Sequence, residues 1–135
     1  MIYLTRKVNF CAAHRLYDPS ISREDNEERF GECTHLHGHN YTLEVTFAGD
    51  PDTRTGMVVH LTELDRIAKE RVVDALDHRH LNEDVEVFKD VVPTIEMLAK
   101  YIWSRLDGAV PGAKLHRVRL NEDDRCFADY YGEHS

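Results

Sequence analysis

The chain has 135 residues and a formal net charge of −8. That length suits a single domain on one core, spanning 1–135, and the charge disfavours nucleic-acid binding through a general basic surface. No apolar run approaches the roughly 18–20 residues of a membrane span, so no membrane partner is expected.

The opening "MIYLTRKVNF" carries charges and no small-residue cleavage site, so it reads as a strand rather than a signal peptide. Ile2, Leu4, Val8, Phe10 and Ala12 share one parity, the period of a half-buried strand, and His14 continues it. The stretch 17–32, "YDPSISREDNEERFGE", is dense in charge and opens on Asp-Pro. It reads as a long solvated loop, ahead of a lid, with a short helical turn in "REDNEERF". From His39 the odd positions Tyr41, Leu43, Val45 and Phe47 make a second alternating strand.

"GDPDTRTG" is a turn cluster. Leu61, Leu64, Ile67, Ala68, Val72 and Ala75 then recur at helical spacing, with Thr62 or a neighbour as the cap. "DHRHLN" interrupts that pattern. A second helix begins near Thr94, after Pro93, with Ile95, Leu98, Ala99, Ile102 and Leu106 on its apolar face. "KLHRVRL" and "CFADYY" close the chain as two strands around an "NEDDR" turn. The order is β-β-α-α-β-β: an α+β fold, a four-stranded antiparallel sheet with two helices on one face. Four strands leave open edges, which favours oligomerisation.

"CTHLHGHNYTLEV" crowds three histidines and a cysteine into seven residues. At the head of a strand, His37 and His39 point to one face. His14 ends the neighbouring strand on its apolar parity, so three imidazoles can converge, the ligand set of a catalytic zinc site with an open fourth position. Gly38 between them reads as a residue that must not crowd metal or substrate. His35 is a fourth ligand or, preferably, a bystander. Cys33 in this polar loop is a candidate ligand, nucleophile or proton-transfer base. The three cysteines are odd in number and widely spaced, which fits a reducing, cytoplasmic setting. Cys11 and Cys126 read as small packed hydrophobes. Asp77 and His78 are either a carboxylate-oriented imidazole or a polar helix end. Glu122, alone at a hairpin tip, reads as a solvated acid. An anionic substrate would need a local basic pocket against the global charge.

"FCAAHRL", "CTHLHGHNY", "TGMVVHLTEL", "LDHRHLN", "PTIEMLAKYIW" and "YYGE" occur in an order that resembles the 6-pyruvoyltetrahydropterin synthase family over essentially the whole chain. The resemblance implies the tunnelling fold, in which subunits join edge to edge into barrels and trimers stack into hexamers. By motif it implies zinc on His14, His37 and His39, catalysis by Cys33 with Asp77 and His78, and a pterin anchored by Glu122 in a pocket lined by Thr94. The implied substrate is 7,8-dihydroneopterin triphosphate. Within the family, three residues between the cysteine and His-Gly-His resemble the type that forms 6-carboxytetrahydropterin for queuosine. Here they are Thr34, His35 and Leu36, so that lyase product is expected, with the 6-pyruvoyl product of the biopterin pathway as the alternative. Arg15 and Arg119 are the candidates to hold the triphosphate. The chain departs from the family at Asp123, where Thr is common, at His60, where Asp or Asn is common, and at Leu98, where Asn is common. A non-catalytic zinc-binding member is a competing reading that the intact Cys33, Asp77 and His78 argue against. A zinc hydrolase is another, without the expected His-Glu-x-x-His.

Overall fold

The computed structural model describes residues 1–133, and its frame is a pair of long antiparallel strands, β1 (Ile2–His14) and β2 (His37–Gly49). Their parities mesh. Val8 faces Leu43, Phe10 faces Tyr41, Ala12 faces His39 and His14 faces His37. Directly opposed side chains on one face have Cβ atoms about 4.5–5.5 Å apart, so this register buries one apolar face and carries the histidines on the same face. Arg6 sits on that parity too, and it is tied by two 2.8 Å bonds to the Asp65 carboxylate.

Between the strands lie α1 (Arg23–Phe30), capped by the Ser22 hydroxyl, and a 3-10 turn over Gly31–Thr34. Asn26 is fully buried and stitches the loop: its amide exchanges bonds with the Asp18 backbone. The charged stretch carries the expected short helix and stays largely solvent-facing, pinned to the body through Asn26.

After β2 come α2 (Leu61–Ala68), a π turn over Lys69–Val73 and the single turn α3 (Asp74–Leu76). The wider π turn lets Val72 and Leu76 stay in the core although the run no longer follows one α period. The expected cap at Thr62 is displaced. The helix starts at Leu61, and His60 occupies the cap position with no side-chain bond to the helix. That explains why Asp or Asn is common there: either would satisfy a free N–H, whereas His60 does not. Glu63 stands three residues on, where a capping box places its acid. His60→Asp should therefore raise stability by about 0.5–1 kcal/mol, read as a higher urea midpoint at unchanged slope. An unchanged midpoint would count against the cap.

The sheet has five strands, not four, and it is mixed. Its order is β3-β1-β2-β4-β5. The extra strand β3 (Arg79–His80) pairs parallel with Ala12 and Ala13 of β1. Two polar residues inside "DHRHLN" show no alternation, so sequence periodicity cannot reveal them. The short α4 (Leu81–Asp84), a 3-10 turn over Glu86–Lys89 and α5 (Ile95–Leu106) follow, then β4 (Lys114–Asn121) and β5 (Phe127–Tyr130). Thr94 caps α5, its hydroxyl accepting from Met97 N–H.

The core joins the inward strand residues to Leu64, Ile67, Val72, Leu98, Ile102 and Leu106. Leu98 is among the fully buried side chains, so its departure from Asn suits a packed site. Because β3 covers only Ala12 and Ala13, most of one edge of β1 is open, and Ile2 and Tyr3 beside it are exposed.

Candidate functional site

The register of β1 and β2 places His14, His37 and His39 together. One ring nitrogen from each lies within 4.8 Å of the others. Two backbone carbonyls select which nitrogen is free. His14 Nδ1–H donates to Pro93 O at 2.8 Å, and His37 Nδ1–H donates to His35 O at 2.7 Å. A carbonyl can only accept, so each Nδ1 carries the proton and each Nε2 keeps its lone pair. His14 and His39 both have a buried Nε2 with no hydrogen-bond partner among the described residues. Orphaned buried acceptors are costly, and a shared cation would satisfy them. Burial holds the His14 imidazole down at about 4, against the bond to Pro93 that favours its charged form, so it is neutral at physiological pH. Three convergent imidazoles, with the lone pairs of two buried Nε2 atoms unused, fit a zinc-type ion.

Gly38 has a different reason from the one expected. It faces away from the imidazoles, and an added Cβ would stand 3.3 Å from Ala12 O. Its smallness serves strand packing.

Glu122 is not a free turn acid. A carboxylate oxygen lies 3.6 Å from His39 Nε2, and its backbone N–H closes the turn onto Cys126 O. Tyr41 continues the His37–His39 parity. Its hydroxyl is buried without a partner among the described residues, and burial together with the Glu122 charge pushes it well above the ordinary phenol range. Sequence reading missed it, although shared parity was the available signal. It also missed the Pro93 carbonyl, which nothing in the sequence marks. Thr94, next to Pro93, spends its hydroxyl on the helix cap while standing beside the histidine cluster.

Asp77 and His78 form a second cluster, with Cys11 instead of Cys33. The three ligand-type atoms lie within 4.8 Å of one another. Cys11 N–H donates to the Asp77 carboxylate at 3.0 Å, and the other carboxylate oxygen is 3.0 Å from His78 Nδ1. The bond from the Cys11 backbone is the main reason the Asp77 carboxyl is held below the usual carboxylate range. His78 N–H in turn reaches Cys11 O at 2.6 Å, with His78 in the left-handed region at φ 60°. A non-glycine residue there is uncommon and costs about 1–2 kcal/mol, held by bonds on both sides. The ring itself is 79% exposed. Cys11 is thus part of a polar cluster and not merely packed, and Cys126 is exposed where packing was expected.

Cys33 stands apart. Its thiol is exposed on the 3-10 turn, and its carbonyl accepts from Leu16 N–H. One chain does not bring it into the Asp77–His78 cluster. His80, read from sequence as scaffolding, has a buried Nε2 without a partner among the described residues. Arg119 is bound in a fork to Asp129 at 2.7 and 2.9 Å, so it is not a free anion ligand.

The family model for 6-pyruvoyl tetrahydropterin synthase matches residues 3–133. A 6-pyruvoyl tetrahydrobiopterin synthase from Poecilia reticulata is 43% identical over 97% of this chain and 90% of its own length. The one from Homo sapiens is 41% identical over 96% of this chain and 91% of its own length. The solved structure of 6-pyruvoyl tetrahydropterin synthase from Caenorhabditis elegans superposes with a TM-score of 0.92 at 36% identity, covering 98% of this chain and 96% of that one. These names overturn the expectation of a 6-carboxy product. It rested on the three-residue spacer Thr34–Leu36, which here only leads from the 3-10 turn into β2. Spacer length is a loop property and tolerates change without a change of chemistry.

Proposed function

The chain belongs to the 6-pyruvoyl tetrahydropterin synthase family, a family of lyases, and from that premise we propose that it converts 7,8-dihydroneopterin triphosphate to 6-pyruvoyltetrahydropterin with loss of triphosphate. The observation that carries this is the pair of buried, unpartnered Nε2 atoms on His14 and His39, with His37 beside them. These three residues would hold zinc, and bound zinc supplies a Lewis acid for the substrate's side-chain hydroxyls. Cys33 moves a proton at the neighbouring carbon, and His78, oriented by Asp77, serves as the second acid/base. The protein acts as an oligomer, a hexamer of stacked trimers joined through the open sheet edges, which is consistent with the uncovered edge of β1. An oligomer also gives the solvent-facing Cys33 and His78 a way to meet across copies. Incubation with the triphosphate and identification of the product by mass tests the reading. A 6-pyruvoyl product is expected, and no release of triphosphate by the zinc-loaded protein would overturn it.

Glu122 holds the pterin ring, whose ring N–H and amino group offer paired donors to a carboxylate. Glu122→Gln should weaken binding of sepiapterin by ~10–100-fold, the worth of 1–3 kcal/mol of unpaired donors, with zinc content unchanged. Since Glu122 also lies near His39, zinc is assayed in the same preparation. Lost zinc at unchanged pterin affinity would make Glu122 a partner of the metal cluster instead.

A further inference from the structure

We propose that a cavity beside the histidine cluster, built around Arg15, is the subsite for the substrate's polyphosphate tail. The cavity is about 420 Å³, and Arg15, Tyr17, Arg23, Glu27, His35 and Leu36 are among the residues that line it. Its position follows from chain order. Arg15 directly follows His14, Leu36 directly precedes His37, and the carbonyl of the lining residue His35 accepts from His37 Nδ1–H at 2.7 Å, so the cavity adjoins the strand ends that carry two of the three imidazoles. Glu122 stands against the third, His39. A ligand held by its ring at Glu122 and by its hydroxyls at the cluster has this cavity ahead of its far end.

Arg15 is built to receive an anion. Asn82 clamps its backbone from both sides: Arg15 N–H donates to the Asn82 amide oxygen, and the Asn82 amide donates to Arg15 O, each at 2.9 Å. Its guanidinium carbon lies 3.9 Å from the Tyr17 ring centroid, which fixes the plane of the fork. Its Nε is buried with no hydrogen-bond partner among the described residues. A buried guanidinium donor without an acceptor is costly unless a ligand supplies one, and the planar fork matches phosphate oxygens bidentately. Arg23 and the exposed His35 add donors. The one lining carboxylate, Glu27, is already paired with Arg23 at 3.0 Å. A molecule with net charge −8 repels polyanions globally, so a local basic pocket is what such a substrate requires.

This subsite rests on the pterin triphosphate reading, and the test separates the two. Neopterin and neopterin triphosphate, in their fully oxidised forms so that binding is read apart from turnover, are titrated calorimetrically into zinc-loaded protein. The triphosphate should bind wild type about 10–100-fold more tightly than neopterin. Arg15→Gln should erase most of that advantage while neopterin affinity and zinc content stay unchanged. Arg23→Gln, on the exposed start of α1, should erase a smaller part and serves if Arg15→Gln does not fold. An equal loss for both ligands would make Arg15 a scaffold residue and overturn the subsite, as would an intact advantage in both variants. If wild type binds neither ligand, the pterin reading itself falls and the subsite with it.

Discussion

Alanine at His14, His37 or His39 should strip the protein of zinc, from about one ion per chain to a small fraction of one, and turnover should fall at least ~10³-fold. Among the described residues each imidazole contributes one nitrogen to a three-histidine cluster, so loss of any one leaves two donors, too few to close a site. Loss of a mere outer partner of a zinc ligand already costs 10–100-fold in affinity, and loss of the ligand itself costs more. His14 is 2% exposed, so its alanine variant also opens a cavity, and a loss of zinc there could follow from unfolding. His37 is only partly buried, which makes His37→Ala the cleanest member of the set. His116→Ala, whose ring packs between Tyr3 and Tyr131, is the control for general effects of losing a histidine. Elemental analysis of folded protein decides the matter. Full zinc in folded His37→Ala would remove that residue from the ligand set.

The convergence of these imidazoles was legible because a strand has period two. His37 and His39 had to share a face, and His14 lay on the apolar parity of the strand most naturally paired with theirs. The same rule would have found Tyr41. What a periodic reading could not see were contacts made by backbone atoms far away in sequence. The Pro93 carbonyl sets the tautomer of His14, and the Cys11 backbone holds Asp77. Neither depends on the side chain of Pro93 or Cys11, so neither leaves a trace in the residue type there. The two-residue β3 is invisible for a related reason, since pairing of Ala12 with Arg79 needs only main-chain groups. Glu122 read as an exposed acid because hairpin tips are usually solvated; the fold instead returns the turn toward His39. The product type depended on a loop length, the least reliable of these signals, and there the relatives corrected the reading.

Cys33→Ala should lower turnover by roughly 10²–10⁴-fold, the usual worth of one acid/base group, and leave zinc and folding intact. The Cys33 thiol is exposed and outside the imidazole cluster, so its removal opens no cavity and leaves the three imidazoles in place. His78→Ala should have a similar effect on turnover, since its ring is solvent-facing and bonded to Asp77. A thiol and an imidazole that one chain keeps apart must act together across a subunit boundary if both serve one proton relay. That gives a sharper test than either variant alone. Cys33→Ala and His78→Ala chains, each nearly inactive, are co-expressed and assembled at equal ratio. Where one chain supplies Cys33 and a neighbour supplies His78, random mixing restores both groups at about a quarter of the sites. Recovery of activity toward that fraction, with none in either variant alone, places the two groups on different copies. No recovery in verified mixed oligomers would place them on one chain, and full activity of Cys33→Ala would remove the thiol from the mechanism altogether.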